Sequence, residues 1–389
     1  MSLRFLTAGE SHGPALVGIL DGLPAGLLLN IEMINAELAR RQTGFGSGGR
    51  MKIEKDTIEI LGGIMGGETT GAPISVLLKN QDHENWKSKA IDPMTIPRPG
   101  HADLTGAIKY RLRDLRPVLE RASARETAMR VIIGAICKQF LAHFGISIGG
   151  YVRAIGAVQA DVESMAIKVR LENAEKNEMR CPDLAVIIEM QAAIQRTIEA
   201  GDTLGGVIEI IANHVPIGLG SYVQADRRLD ACLAKAIISV HAIKGVEIGD
   251  AFQSASLPGS ASHDDIFLKG KNLLRRTNSA GGIEGGISNG MPILIRAAMK
   301  PIATSLSPHK TVDLATKKEA LTKYERSDYC PVPRAVPILE AVTAIVIADA
   351  LLEKLGGDSL SEMLPRFKAL HSARLEDFHL DNTPRVWWE

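Results

Sequence analysis

Gly66-Gly-Glu-Thr-Thr-Gly-Ala-Pro-Ile74 is echoed in the second half of the chain by Gly285-Gly-Ile-Ser-Asn-Gly-Met-Pro-Ile293. Both stretches follow the pattern Gly-Gly-x-Thr/Ser-x-Gly-x-Pro-Ile, and each leads into an apolar segment that is typical of a strand. Glycine supplies the positive φ that tight hairpin turns need. Two interpretations stay open: two unrelated hairpins with common turn chemistry, or a duplicated half of the fold related by a pseudo-twofold axis.

Helical and strand patterns alternate on either side of these stretches without a low-complexity linker. Asn30 is a predicted N-cap for a helix over Ile31–Gln42, which keeps one apolar face. Ser123-Ala-Arg-Glu126 has the spacing of a capping box and is predicted to open a long apolar helix that ends at Gly145. The other predicted elements are two helices, near Arg227–Ser239 and Ala335–Leu355, and five strands, at Ala15–Leu20, Ile58–Leu61, Ile74–Lys79, Val207–Ala212 and Pro292–Ala297.

Composition excludes several classes of protein. Lys+Arg and Asp+Glu both number 45 in 389 residues, so no net charge attracts the chain to nucleic acid or to an anionic membrane. Aromatic residues make up 4%, too few for a surface that stacks nucleic-acid bases. The N-terminus lacks the apolar region of a secretory signal, and the most apolar stretch, Ala341–Ala348, is shorter than a membrane span of ~20 residues. We therefore expect a cytoplasmic protein.

The cysteines and the glycine-rich stretches exclude two kinds of site and suggest a third. The four cysteines lack metal-ligand spacing, so we expect reduced, mostly buried thiols and no metal; they are Cys137, Cys181, Cys232 and Cys330. Gly44–Gly49 matches Gly-x-Gly-x-x-Gly but follows a predicted helix, whereas a dinucleotide-binding fingerprint follows a strand. The glycines of Gly281–Gly290 would let backbone N–H groups approach a flat or anionic ligand.

Positive charge is concentrated in one segment of this neutral chain. Between Arg98 and Arg130 there are eight Lys/Arg and four Asp/Glu. About half of these basic residues are expected on a solvated surface. Arginines beside Gly, Pro or Ser, as in Arg98-Pro-Gly-His101 and Arg121-Ala-Ser-Ala-Arg125, are better placed to bind an anion with the backbone. Ser123 can serve both as an N-cap and as a phosphate donor through its backbone N–H.

Two histidines lie in turns and not on an apolar helix face. They are His12, in Gly-Glu-Ser-His-Gly-Pro, and His101, in Arg-Pro-Gly-His-Ala-Asp. A lone histidine is more often a hydrogen-bonded structural residue than a catalytic one. Two of them beside an arginine-rich anion site indicate proton transfer at a phosphorylated substrate, because histidine exchanges protons near neutral pH.

Eight motifs together resemble chorismate synthases in order and spacing, from residue 3 to about residue 355. They are Gly9-Glu-Ser-His-Gly13, Arg40-Arg-Gln-x-Gly-Phe-Gly-x-Gly-x-Arg-Met51, Arg98-Pro-Gly-His-Ala-Asp103, Arg121-Ala-Ser-Ala-Arg-Glu-Thr127, Gly245-Val-Glu-Ile-Gly249, Gly281-Gly-Ile-x-Gly-Gly-Ile-Ser288, Lys300-Pro301 with Thr304, and Arg326-Ser-Asp-x-Cys-Pro-Val-Pro-Arg334. One such motif would be weak evidence, but eight in register are highly specific.

The resemblance implies a fold and a reaction. The fold is an α+β protein, a β-α-β sandwich of the chorismate synthase type, usually a homotetramer. The resemblance also implies one catalytic domain over residues 1–357, followed by a C-terminal helix and tail of unknown role over 358–389. The reaction is the anti 1,4-elimination of phosphate from 5-enolpyruvylshikimate 3-phosphate, a lyase step that gives chorismate and ends the shikimate pathway of aromatic amino-acid biosynthesis. Reduced FMN is required there without net redox change, and it assists phosphate loss and accepts the C6 proton.

The resemblance also assigns roles to residues of this sequence. His12 protonates the departing phosphate, His101 neutralises the reduced flavin, and Asp328 relays the proton. The implied substrate-binding residues are Arg41, Arg50, Arg98, Arg125 and Arg326. The implied FMN-binding residues are Arg121, Ala122, Ser123, Ala261, Ser262, Gly285, Lys300, Pro301, Ile302, Ala303, Thr304 and Arg326. Arg41 and Ser47 are the implied NADP contacts. Two sources of reduced FMN stay open: reduction by NADPH at this protein, or reduction by an external flavin reductase. The external source is favoured, because no added reductase domain is present.

Two departures from the family pattern lie at these positions. Ser47 stands where the family usually has arginine, and losing one charge-assisted hydrogen bond there is expected to cost ~1.5–3 kcal/mol of ligand affinity. Ile302 and Ala303 stand where hydroxyl residues are common. A phosphotransferase is the less favoured enzyme, because the chain lacks a Walker lysine and kinase catalytic-loop residues. A non-catalytic flavin- or anion-binding protein of the same fold is the other alternative.

Overall fold

Two antiparallel sheets enclose a layer of helices in the computed structural model, which describes residues 2–47, 56–325 and 327–388. The strands are β1 (Arg4–Ala8), β2 (Ala15–Asp21), β3 (Ile58–Gly62), β4 (Ile64–Met65), β5 (Glu68–Thr69), β6 (Ile74–Lys79), β7 (Ser147–Ile155), β8 (Val158–Gln159), β9 (Gly206–Asn213), β10 (Ile243–Ile248), β11 (Ile266–Lys269), β12 (Asn272–Arg275), β13 (Ile283–Glu284), β14 (Ile287–Ser288), β15 (Ile293–Met299), β16 (Lys310–Asp313) and β17 (Lys318–Leu321). The helices are α1 (Ile31–Gln42), α2 (His83–Trp86), α3 (Asp103–Tyr110), α4 (Arg116–Arg121), α5 (Thr127–Ala142), α6 (Ile167–Ala174), α7 (Ile187–Glu199), α8 (Leu229–Ile238), α9 (Ala251–Ser254), α10 (Gly259–Ser262), α11 (Val332–Leu355) and α12 (Leu360–Lys368).

The two sheets have the same topology, which decides between the two interpretations of the glycine-rich echo. The first sheet has the order β1-β2-β6-β3, and the second has β10-β15-β9-β7-β8. If β7, β9, β10 and β15 correspond to β1, β2, β3 and β6, the orders agree, and α8 occupies the place of α1 between the second and third strands. Each half then ends in a long central helix, α5 or α11. The duplicated half is confirmed.

The echoed stretches are equivalent hairpins within this repeat. β4–β5 and β13–β14 each turn through two glycines of positive φ, at 60° and 87° for Gly66 and Gly67 and at 58° and 86° for Gly285 and Gly286. Such a pair is the glycine signature of a tight hairpin turn. The Thr/Ser position of the shared pattern also has one function in both halves, because each hydroxyl donates to a proline carbonyl at 2.6 Å, Thr69 to Pro24 and Ser288 to Pro216.

The helix layer is closely packed where α5 crosses α11. Gly134 of α5 lies so close to Ala341 of α11 that an ideal Cβ at residue 134 would be 2.4 Å from the alanine Cβ. On the side of the first sheet, Gly18 of β2 leaves room for the Met129 side chain of α5. Helix α11 packs against β7 and β9 of the second sheet. Small residues therefore bring the two central helices together between the sheets, as expected for a β-α-β sandwich.

Helix α11 is the most apolar element of the fold. By length and composition its 24 residues could cross a membrane, so the sequence expectation based on Ala341–Ala348 underestimated the apolar segment. Its most apolar window is 83% buried inside the protein, which is typical of a core helix. Glu340 is the buried acidic side chain of this helix, and it pairs with Arg40 of α1 at 2.8 Å and with Lys138 of α5 at 2.6 Å.

The predicted elements agree with the structure to within a few residues. Asn30 caps α1 as predicted, accepting a hydrogen bond from the backbone of Met33 at 3.1 Å. The predicted capping box is only half formed, because Ser123 accepts from the backbone of Arg125 and opens a short 3-10 helix before α5. The side chain of Glu126 accepts hydrogen bonds from other side chains at Thr7 and Arg130. The expected free thiols are confirmed: Cys137, Cys181 and Cys330 are buried and Cys232 is partly buried.

The C-terminal segment packs onto both halves of the molecule. Met363 of α12 is fully buried in the core, and Phe367 makes an edge contact with Phe144 at 5.1 Å between ring centroids. Beyond α12, the backbone of Leu273 in the β11–β12 hairpin donates to the carbonyl of Ala373 at 2.7 Å. The division of the chain at residue 357 stays a prediction.

Candidate functional site

His12 lies on the loop between β1 and β2 and faces a carboxylate of α4. Its Nδ1 is 2.9 and 3.0 Å from the two carboxylate oxygens of Glu120, and its backbone N–H donates to the same group at 2.9 Å. The backbone N–H of Ser11 donates to the Glu120 carbonyl at 3.2 Å. These four contacts fix the loop and the imidazole on one residue of α4.

The other neighbours of His12 come from α2 and α4. The Trp86 ring lies 4.3 Å from the imidazole, measured between centroids. The Arg116 guanidinium lies over the Trp86 ring, 5.6 Å from its centroid, with Nη1 3.6 Å from Glu120. His83 donates from Nδ1 to the His12 carbonyl at 3.0 Å. His12 is thus enclosed by one carboxylate, one aromatic ring and one cation.

His101 precedes α3 and also binds a buried carboxylate through Nδ1. The distance from this nitrogen to Asp103 Oδ1 is 2.6 Å. The same carboxylate, which is fully buried, accepts from Arg98 Nε at 2.8 Å, from Arg98 Nη2 at 3.0 Å and from the Arg98 backbone at 3.1 Å. Asp103 therefore holds a histidine and an arginine at once.

The pKa values of the two carboxylates follow from these contacts. Burial alone would raise the pKa of Asp103, but the hydrogen bonds from His101 and Arg98 hold that pKa well below its usual range. Burial also acts to raise the pKa of Glu120, but the hydrogen bonds and charge of His12, together with the charge of Arg116, outweigh it, so that the net shift is downward. Both groups are thus negatively charged acceptors near neutral pH. Helices α3 and α4, which carry them, pack together with Gly106 against Val118.

Arg98, His101 and Asp103 form a hydrogen-bonded group, here called the His101 cluster. The segment 300–304 contacts this cluster and the loop that carries it. Lys300 donates from Nζ to the Gly100 carbonyl at 3.2 Å, and Arg98 donates to the Thr304 hydroxyl at 3.3 Å. Ile302, in place of a hydroxyl residue, uses its backbone carbonyl, which accepts from Thr203 at 2.8 Å.

Arg121 and Ser123 approach the β1–β2 loop from the end of α4. Arg121 donates to the carbonyls of Thr7 at 2.8 Å and Gly9 at 3.1 Å, and Ser123 Oγ lies 3.2 Å from Ser11 Oγ. Ala122 ends α4. Arg121 also lines a cavity of about 360 Å³, whose lining residues are Phe5, Leu6, Thr7, Arg121, Glu126, Arg130 and His241.

Of the described residues that line this cavity, His241 is the one histidine. Burial lowers the pKa of His241; Glu126 opposes that shift, while Arg130, His101 and Arg41 add to it by charge repulsion. No motif drew attention to His241, since Ser-Val-His-Ala has no feature of a functional turn.

Two further predicted residues, Arg41 and Asp328, both contact Arg334 at the N-terminal end of α11. Arg41 is buried and donates to Thr127 Oγ1 at 3.0 Å and to the Ala124 carbonyl at 2.8 Å. Asp328 forms an ion pair with Arg334, whose Nε donates to the Arg41 carbonyl at 3.1 Å. The two residues are thus bridged by one guanidinium.

Arg125 and the neighbourhood of Ser47 are less open to a ligand. Arg125 is buried, and its guanidinium donates to Asp56 at 2.6 and 2.9 Å and to Asn80 at 3.0 Å. Next to Ser47, the Gly46 carbonyl accepts from the backbone of Tyr329 at 3.0 Å, so this loop lies beside the Asp328 segment. The predicted Arg50 and Arg326 lie outside the described residues.

The remaining predicted flavin contacts lie at the other end of β15. Lys300 follows the C-terminal end of this strand, whereas the hairpin with Gly285 precedes its N-terminal end. Seven strand residues span about 20 Å. Ser262 and its neighbour Ala261 belong to α10, which is also at that far end, and Ser262 lines a second cavity of about 470 Å³. That cavity is lined by Ile248, Ala251, Ser254, Ser262, His263, Asp264, Ile266, Ser279, Ala280 and Glu284.

Comparison with known proteins identifies the family of this chain. The family model described as chorismate synthase matches residues 3–352. The chain belongs to the chorismate synthase family. A chorismate synthase of Aquifex aeolicus is 52% identical over 386 residues, which cover 94% of this chain and 96% of the relative. The corresponding protein of Chlorobaculum tepidum is 50% identical over 389 residues, 95% of this chain and 98% of the relative.

A crystal structure of chorismate synthase matches the fold as well, with a TM-score of 0.78 and 44% identity over 95% of this chain and 97% of that one. The predicted family, the α+β sandwich and the lyase activity of a chorismate synthase are thereby confirmed, and the non-catalytic alternative is not favoured. Sequence reasoning did not single out Glu120 and Trp86, which contact His12, or His241, which lines the first cavity. Asp103 belongs to one of the motifs quoted above, but no role was predicted for it.

Proposed function

We propose that this chorismate synthase converts 5-enolpyruvylshikimate 3-phosphate to chorismate and phosphate with reduced FMN, and that His12, His101 and Asp328 manage the protons. One observation carries the proposal: two turn histidines lie among arginines, and each binds through Nδ1 a carboxylate of the neighbouring helices α4 and α3, partly buried at Glu120 and fully buried at Asp103. A histidine held in this way presents Nε2 to a ligand. The anti 1,4-elimination requires a proton donor for the leaving phosphate and an acceptor for the C6 proton.

His12 is the proposed donor to the phosphate. Because Nδ1 is occupied by Glu120, Nε2 is the nitrogen that can donate a proton to a phosphate oxygen. An acid–base group of this kind is typically worth ~10²–10⁴ in rate. Asp328 is the proposed proton relay at the flavin, and His101 is the proposed cation beside it.

The substrate carries two carboxylates and one phosphate, which suits a site rich in arginine. The proposed binding residues are Arg41, Arg50, Arg98, Arg125 and Arg326. Arg98 and Arg125 already pair with Asp103 and Asp56, so the substrate would share these guanidiniums with carboxylates and not meet unpaired ones. Sharing keeps the arginines oriented in the absence of substrate.

The described residues fit a flavin. Gly285 has a φ of 58° with nothing within 4 Å of an added Cβ, which leaves open space of the kind a flat ligand needs. Lys300 and Arg121 supply positive charge for the phosphate of FMN or its reduced ring. When bound, reduced FMN supplies electron density that assists phosphate loss and takes up the substrate proton. The residues proposed to hold it are Arg121, Ala122, Ser123, Ala261, Ser262, Gly285, Lys300, Pro301, Ile302, Ala303, Thr304 and Arg326.

We propose a homotetramer in the cytoplasm that acts in the shikimate pathway. Leu6 and Ile19 are paired across β1 and β2 and are 73% and 42% exposed on the outer face of the first sheet. An exposed apolar sheet face is typical of an interface. The distance along β15 also favours an oligomer, because one flavin at Lys300 could meet Ser262 and Gly285 only from another copy. FMN is reduced externally in this proposal, with NADPH at Arg41 and Ser47 as the alternative.

An anaerobic assay tests the reaction. Purified protein, chemically reduced FMN and 5-enolpyruvylshikimate 3-phosphate are mixed while chorismate absorbance and phosphate release are followed together. We expect equal amounts of both products, dependent on reduced flavin. Binding of FMN and substrate without either product would contradict the catalytic proposal. Adding NADPH to oxidised FMN in place of the chemical reductant distinguishes the two sources of reduced flavin.

A further inference from the structure

We infer that Glu120 is the positioning residue of His12: its carboxylate fixes the imidazole with Nε2 toward the phosphate. This inference deepens the proposed function and rests on the role of His12 as proton donor. Glu120 belongs to none of the residues assigned above to substrate or flavin.

The geometry gives Glu120 control over the histidine ring. Both carboxylate oxygens lie within 3.0 Å of His12 Nδ1, and one of them also accepts from the His12 backbone N–H at 2.9 Å. An ionised carboxylate only accepts hydrogen bonds, so Nδ1 must carry the proton. In the protonated ring Nε2–H is then the donor that remains for a ligand.

Neighbouring side chains keep Glu120 in this position. Arg116, one helical turn earlier on α4, approaches the carboxylate at 3.6 Å. The Trp86 ring lies against the imidazole at 4.3 Å, and the Arg116 guanidinium lies 5.6 Å from that ring. The Glu120 side chain is 12% exposed, so bulk water screens the pair only weakly.

A purely structural role is the competing explanation, because Glu120 also anchors the loop through the His12 backbone. The two roles separate in the variant Glu120→Gln. A glutamine oxygen can still accept from the backbone N–H, but the amide offers only one acceptor oxygen where the carboxylate offers two, so Nδ1 is held less firmly. Among the described residues, Arg116 of α4 contacts Glu120, His83 of α2 contacts the His12 backbone, and Glu10 precedes His12 by two residues on the same loop; all of them remain in this variant.

The experiment compares wild type, Glu120→Gln, His12→Ala and the double variant in the reduced-FMN assay across pH. We expect Glu120→Gln to keep the wild-type melting temperature and KM but to lose about 10- to 100-fold in kcat. The double variant should turn over no more slowly than His12→Ala, since Glu120 acts through the ring that is already gone.

Glu163→Gln is the matched control, because it removes a carboxylate that pairs with Arg153 on the second sheet. It should leave kcat and the pH profile unchanged. Wild-type kcat in Glu120→Gln would overturn the inference, and so would a double variant in which the two losses multiply. If the wild-type protein forms no chorismate, the proposed function itself fails. If the wild-type protein is active and His12→Ala keeps its turnover, the assigned role of His12 fails.

Discussion

At the scale of single residues, the His101 cluster couples three functional groups through one carboxylate. Asp103 binds His101 and Arg98 together, and Arg98 in turn reaches Thr304 in the segment assigned to the flavin. A change at one of these side chains therefore alters the orientation of the others. The exception is the loss of the His101 ring alone, which leaves the bonds between Asp103 and Arg98 intact.

We therefore expect His101→Ala to abolish most turnover with a modest change in substrate affinity. A loss of about 10²- to 10⁴-fold in kcat corresponds to one acid–base group. Stopped-flow turnover with reduced FMN and a titration of the substrate measure the two quantities. His143→Ala, an exposed histidine at the end of α5, is the control and should behave as wild type. Near-normal turnover in His101→Ala would contradict its assigned role.

The sequence was sufficient to single out the two histidines but not the carboxylates that hold them. His12 and His101 stand in glycine- and proline-containing turns, a local feature. The pairing of His12 with Glu120 joins positions 108 residues apart, and only the packing of α4 against the β1–β2 loop creates it. The same holds for Arg125, whose motif suggested a ligand while its nearest acceptors are Asp56 and Asn80.

At the scale of elements, the contact between α5 and α11 sets the distance between the two halves. The glycine at position 134 is required because Ala341 occupies the space of a side chain. We expect Gly134→Ala to destabilise the fold by about 1–3 kcal/mol, the usual cost of overpacking a core. Urea unfolding measures this change. Gly245→Ala in β10, whose added methyl meets Ala298 Cβ at an ordinary 3.4 Å, is the control, and equal stability of the two variants would refute the packing argument.

The ionic cluster inside the helix layer predicts a pH dependence of stability. Burial opposes ionisation of Glu340, but Lys138 and Arg40 lower its pKa from 4.5 to about 2. Because the folded pKa is depressed, the stabilisation is complete above the unfolded pKa and is lost as pH falls from about 4.5 toward 2. Glu340→Gln should remove this dependence of the unfolding free energy on pH. At pH 7 it should also lower the unfolding free energy by about 3–5 kcal/mol, since two cations remain without their buried partner. Unfolding free energies in urea between pH 2 and pH 7 test both effects, and an unchanged slope would contradict the argument.

Element positions were predictable wherever one local pattern dominated. The N-cap at Asn30 and the apolar strand at Ile74–Lys79 needed no tertiary information. The capping box failed because Glu126 found better partners in Thr7 and Arg130, which approach it only in the folded chain. The nine-residue echo was too short to establish duplication, whereas the order of the strands establishes it.

At the scale of the whole molecule, the duplicated halves differ in what covers their outer faces. On the second sheet, α6 and α7 pack against β7, and Glu209 is buried between Arg170 and Arg296. On the first sheet, Leu6 and Ile19 stay exposed. An interface between copies is therefore expected at the first sheet, and Leu6→Lys should weaken it, as measured by native mass spectrometry.

The separation of the predicted flavin contacts along β15 gives the sharpest test of the assembly. If Lys300 and His101 of one copy share a flavin with Ser262 of another, two inactive variants can complement each other. We expect His101→Ala and Ser262→Trp, which fills the second cavity, each to lose activity alone. Random association of the two would leave one site in four with both sets of residues intact, so the co-expressed mixture should recover up to about a quarter of wild-type turnover. Mixed oligomers without any recovery would place all flavin contacts in one copy, and full activity of Ser262→Trp alone would remove Ser262 from the flavin site.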